Sequence, residues 1–147
     1  WMNWEHGQQD LELLEYFKYV IKIRKKLIKI FNPSFLPNNQ NNENIPIYHW
    51  HGTTLDSPDW SSWSHTVAFS LNKGNDNPLV WVGLNAYSKS IEFCLPKCKS
   101  KWLKIIDTDN SEIFEPLTVN QQSILIKSRS SILIISEEVF GAKNNIF

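Results

Sequence analysis

The sequence is short of glycine, cysteine and methionine, and it carries no excess of either charge. Five Gly in 147 residues, none in a Gly-rich strand–helix turn, leave no cradle for a phosphate. No Gly-x-Ser-x-Gly elbow is present, so the chain lacks the nucleophile turn of an α/β-hydrolase. Two Cys, Cys94 and Cys98, are too few for a disulfide framework or a four-ligand metal cluster. They read as free thiols in a reducing compartment, the cytoplasm or, in a plant or alga, the plastid stroma. No apolar run approaches the roughly 20 residues of a membrane-spanning helix. The opening Trp1-Met2-Asn3-Trp4 lacks the basic segment and apolar run of a secretory signal. Fifteen basic residues balance fifteen acidic ones, so no long-range field gathers phosphate backbones or anionic lipid. Neither nucleic acid nor a membrane is expected as a partner, and no cofactor is implied.

Apolar material is what remains. Apolar residues make up 41% of the chain, with seven Trp and eight Phe, enough to build a core rather than a disordered segment. From Gln8 to Phe31 the pattern predicts one helix. Asp10, Glu12 and Glu15 stand early in it and Lys22, Arg24, Lys25, Lys26 and Lys29 late, which suits the helix dipole; Pro33 ends it. At about 100° per residue, Leu13, Leu14, Phe17, Val20, Ile21, Ile23, Leu27, Ile28 and Phe31 form a very broad apolar face. Tyr16 and Tyr19 lie at its margin. A helix resting on one small sheet needs a narrower stripe, so this one is expected to touch two bodies. Arg24 falls in the middle of the apolar face and calls for an ion-pair partner.

Residues 32–46 are an Asn-rich stretch with no apolar periodicity, read as an exposed loop. From Ile47 the period becomes that of strands. Short runs at 47–50, 66–71, 79–84, 90–95, 102–106, 123–127 and 132–135 are separated by turn signals such as Asp107-Thr108-Asp109-Asn110 and Ser128-Arg129. Leu79–Leu84, apolar on both sides, reads as a central strand. About seven short strands over about a hundred residues predict a Greek-key-like antiparallel β-sandwich. Three segments follow: a terminal helix at 1–31, a loop at 32–46 and a β-sandwich at 47–147. A lone helix with two apolar contacts fits best as the last helix of a larger body.

Three stretches carry a family resemblance. Trp1-Met2-Asn3-Trp4, with Leu13-Leu14-Glu15-Tyr16-Phe17 and Ile23-Arg24-Lys25, resembles the passage into the eighth barrel helix of isoamylases and glycogen debranching enzymes. Trp50-His51-Gly52, Pro58-Asp59-Trp60-Ser61 and Val67-Ala68-Phe69-Ser70 look like the plant and cyanobacterial isoamylase branch. Val80-Trp81-Val82-Gly83-Leu84-Asn85-Ala86, then Leu95-Pro96, Trp102 and Asp107-Thr108, resemble the family's strand ending in Asn-Ala, its Leu-Pro, and its Trp before Asp-Thr. Order and spacing hold to about Ile135. The resemblance implies a missing (β/α)8 barrel in the same polypeptide. It also implies retaining hydrolysis of α-1,6 branch linkages in glycogen or starch by carboxylates upstream of Trp1. It makes this chain the non-catalytic C-terminal region, steadying the barrel and rimming the glucan cleft. Trp1, Trp4 and Arg24 are then barrel-facing structural residues.

The chain's own residues offer little chemistry. The pairs Asp56/Asp59 and Asp107/Asp109 stand in turn-like sequence, where Asp caps its own backbone. His49 and His51 share a strand face, but no third zinc ligand is visible, and no metal is expected. Trp60, Trp63 and Tyr87, near turns, are candidates for stacking on sugar rings, and His51 for lining the cleft. Against each stands ordinary packing, since Trp is mostly buried. Trp50, Trp81 and Trp102, inside strands, read as core. A carbohydrate-binding module binding branched α-glucan and a homo-oligomerisation domain remain the alternatives.

Overall fold

The computed structural model describes residues 8–31, 47–72, 77–110 and 115–141. Helix α1 (Gln8–Phe31) runs over the span that its apolar periodicity sets. Eight strands follow in two sheets. The first sheet contains β1 (Ile47–His51), β2 (Thr66–Asn72), β3 (Pro78–Asn85), β5 (Trp102–Asp107), β6 (Leu117–Val119) and β8 (Ser130–Ser136), in the order β1-β2-β3-β8-β5-β6. The second pairs β4 (Ile91–Cys94) with β7 (Ser123–Ile126). Every pairing is antiparallel. The short helix α2 (Glu137–Gly141) closes the described chain. The sandwich and the central place of β3 are as the sequence predicts; β6 and α2 were not anticipated. Trp1, Trp4 and the 32–46 stretch lie outside the described residues.

Successive side chains alternate across the large sheet. On one face Ala68, Trp81, Trp102, Ile132 and Ile134 pack against Phe93 and Ile126 of the small sheet. Trp81 meets Phe93 edge-on, with ring centroids 6.1 Å apart and planes at 75°, a geometry that suits the aromatic quadrupole. Gly83 lies beside this contact, and a Cβ there would collide with the Trp81 indole and the Ile126 side chain. The other face carries Leu79, Val80, Leu103, Ile105 and Ile135, and these bury Tyr19 and Ile23 of α1 together with Val139 of α2. Burial of one such large apolar side chain contributes roughly 1.5–3 kcal/mol.

α1 is fastened to this face at a defect in the ladder. The β5–β8 register slips between Lys104 and Ile106, so Ile105 has no cross-strand partner, as in a β-bulge. Its carbonyl accepts the Tyr19 hydroxyl at 3.0 Å. Burial, and then the neighbouring Tyr16, push the Tyr19 hydroxyl above its usual range.

The helix contact is narrow. Tyr19 and Ile23 are buried, with Tyr16, Val20, Lys26 and Leu27 half-buried beside them. Leu13, Leu14, Phe17, Ile21 and Ile28 are exposed, Phe17 and Leu13 each by 55%. The broad apolar face therefore splits in two, and its second half points away from the sheet. Arg24, also exposed, belongs to this outer half by its angle on the helix. The sheet is also incompletely covered on the α1 side. Toward its β1 edge, Val67 and Phe69 are half-buried while Tyr48, Trp50 and Leu84 are exposed.

Candidate functional site

The segment between β1 and β2 brings the most candidate residues together, and it is built on His51. His51 ends β1 facing Ala68 across the ladder and is only 3% exposed. Its Nδ1 accepts the Asp56 N–H at 3.0 Å, which leaves the proton on Nε2 to be donated to Ser70 Oγ at 3.1 Å. The Ser70 hydroxyl donates onward to Asn72 Oδ1 at 2.9 Å. Burial lowers the His51 pKa; the Asp56 carboxylate, 3.3 Å from Nδ1, pulls it up, and His49 pulls it down again. The net shift is downward, so His51 is neutral at pH 7, as an acceptor must be.

Both ring nitrogens of His51 are engaged inside the protein, and through them the ring holds the loop to β2. The adjacent Gly52 is fixed by space. A Cβ there would strike the Ser57 carbonyl, so the chain turns back on itself only with glycine at this position. Asp56 takes φ 55°, a left-handed conformation that Asp tolerates better than most residues.

Further along the loop, Asp59 Oδ1 accepts the Ser61 N–H at 3.0 Å, and Ser64 N–H reaches Ser61 O at 3.0 Å. Between these anchors stands Trp60, 66% exposed. Trp50 braces it edge-on, with centroids 5.4 Å apart and planes at 75°, and Phe69 lies 5.5 Å from Trp50 at 58°. Trp50 is thus no core residue, contrary to the sequence reading: it is 47% exposed. It lies on the edge strand with Tyr48, on the face opposite His51, where α1 does not reach. Trp81 and Trp102 are buried as expected.

The other candidates do not join Trp60. Trp63 is 76% exposed, and among the described residues no ring touches it. Tyr87 stacks on His65, with centroids 6.0 Å apart and planes at 18°. Its backbone N–H is held by Asn85 Oδ1 at 3.0 Å.

Other motif residues prove to be fasteners. The buried Asn85 amide donates to the carbonyls of Lys89 and Lys127 at 2.8 Å and of Ile126 at 3.2 Å, tying the end of β3 to β7. Trp102 Nε1 donates to Pro96 O at 3.0 Å, which links the Leu-Pro to the following Trp. Asp107 pairs with Lys104 Nζ at 2.7 Å and accepts the Asp109 N–H at 3.2 Å. Asp59 and Asp107 cap their own backbone, as the sequence predicts. Among the described residues no group of three or more His, Cys, Asp or Glu is placed to hold a metal ion. Cys94 and Cys98 are free thiols. A groove of about 580 Å³, walled by Thr53 and Thr54 of the same segment with Glu92, Cys94 and Gln122, is lined by no aromatic ring and no second carboxylate. The family model described as isoamylase 1-3, C-terminal, matches residues 49–140. No curated protein sequence matches the chain.

Proposed function

Because the chain belongs to the isoamylase 1-3 C-terminal family, we propose that it is the accessory C-terminal region of a debranching glycoside hydrolase. The parent enzyme in this reading hydrolyses α-1,6-glucosidic linkages of glycogen or starch in the cytoplasm or plastid stroma. The catalytic carboxylates belong to a (β/α)8 barrel of the same polypeptide, and this region supplies none.

The observation that carries the reading is the divided face of α1. One half is spent on the sheet, and the other presents Leu13, Leu14, Phe17, Ile21 and Ile28 outward. An exposed apolar surface of this kind marks an interaction site. In the proposed arrangement the barrel covers that outer half and the open part of the sheet beside it. A barrel carboxylate meets Arg24 in the middle of the contact, since an interior charge needs a partner. Tyr19 and Ile23 hold the helix to the sandwich while its other side belongs to the barrel.

Production of the chain beside the barrel of its own polypeptide tests this. A stoichiometric complex is expected, and Phe17→Glu with Ile21→Glu should abolish it while leaving the fold of the chain intact. The chain alone should release no reducing ends from a branched glucan. Failure to associate at high concentration, or hydrolysis by the purified chain alone, would refute the proposal.

A further inference from the structure

We propose that Trp60, braced by Trp50, is a stacking platform for the pyranose rings of an α-glucan at the margin of the sandwich. The sugar's identity rests on the isoamylase reading above; the platform itself rests on geometry.

An indole left two-thirds exposed is normally free to swing, but this one is held. Trp50 stands edge-on behind it and Phe69 supports Trp50. The loop beneath is tied to β1 by the Asp56–His51 hydrogen bond and braced within itself by the Gly52–Ser57 close approach and the Asp59–Ser61 turn. A ring fixed in this way loses little freedom on binding, which is how preorganisation raises affinity.

Its surroundings match a sugar better than a protein. Ser57, Asp59, Ser61 and Ser62 flank the indole in sequence, and Asp59 and Ser62 are exposed. The Asp59 carboxyl accepts the Ser61 N–H and is held below its usual range beside Ser61, so near neutrality it only accepts hydrogen bonds. A pyranose has a flat C–H face ringed by hydroxyls, and an exposed indole on a loop rich in Ser and Asp suits both parts of it. The cores of protein interfaces, by contrast, are depleted in Asp and Ser. Trp63 lacks any ring bracing among the described residues, and Tyr87 already stacks on His65.

Calorimetric titration of the chain with maltoheptaose tests the platform. Saturable binding is expected. Trp60→Ala should weaken it about tenfold, in line with the loss of one aromatic stack, with the melting temperature unchanged. Trp60→Phe should retain most of the binding, and Trp63→Ala all of it. No heat from the folded wild-type chain, or equal affinity in Trp60→Ala, would overturn the proposal. The same variants are assayed for association with the barrel. If Trp60→Ala loses that association, and the wild-type chain ignores maltoheptaose, the indole is an interdomain contact; the platform falls and the accessory role stands. If maltoheptaose binds through Trp60 but no barrel complex forms, the platform stands and the accessory role falls.

Discussion

At the scale of single residues, the motif Trp50-His51-Gly52 divides its work among three different constraints. Trp50 braces an exposed ring, His51 fastens a loop from inside, and Gly52 makes room for the Ser57 carbonyl. Gly52→Ala should therefore cost about 1–3 kcal/mol, the usual penalty of forcing atoms into filled space, as read from urea denaturation midpoints. His51 gives a pH dependence of definite sign. Its pKa is lowered from 6.5 on folding, so below that value the unfolded chain binds the proton more readily. The stability due to neutral His51 is complete above pH 6.5 and is lost as pH falls toward the folded-state pKa. Thermal melts between pH 7.5 and 5 should show this fall, and His51→Gln should flatten it.

The sequence shows that His49 and His51 share a strand face, and the same period places Tyr48 and Trp50 on the other. It does not show that β1 is an edge strand beyond the reach of α1, and that is why Trp50 was misread as core. Nor does it show the hydrogen-bond chain through Ser70 to Asn72, which joins residues distant in sequence. That chain explains why the polar face of β2, with Ser70 and Asn72, is the buried one, while Val67, Phe69 and Leu71 are only half-buried. The capping roles of Asp59 and Asp107 were legible, because Asx turns are local.

At the scale of elements, α1 and the longer strands were legible because each shows its period over several residues. β6 has three residues and α2 five, too few for any period to register. The bulge at Ile105 was hidden for another reason: it depends on the register between β5 and β8. Its consequence is testable. Tyr19→Phe removes the hydroxyl that satisfies the Ile105 carbonyl and should cost about 1 kcal/mol. The loss should appear as earlier exchange of the α1 amides, with the sandwich protected as before. If those amides exchange unchanged, the hydroxyl is not what docks the helix.

At the scale of the whole molecule, the layers are α1, the six-stranded sheet and the two-stranded sheet. The inner interface, between the sheets, is filled by Trp81, Phe93 and Trp102. The outer one is not closed: α1 covers only part of the large sheet and leaves its own second apolar half outward. The broad apolar face seen in the sequence anticipated this division, since one sheet cannot bury so wide a stripe.

Hydrogen exchange measured on the chain alone and again in complex with the barrel tests the account most directly. Residues 11–28 of α1 and the β1–β2 side of the sheet should gain protection in the complex, while β4 and β7 stay unchanged. Identical exchange of α1 in both states would contradict the account.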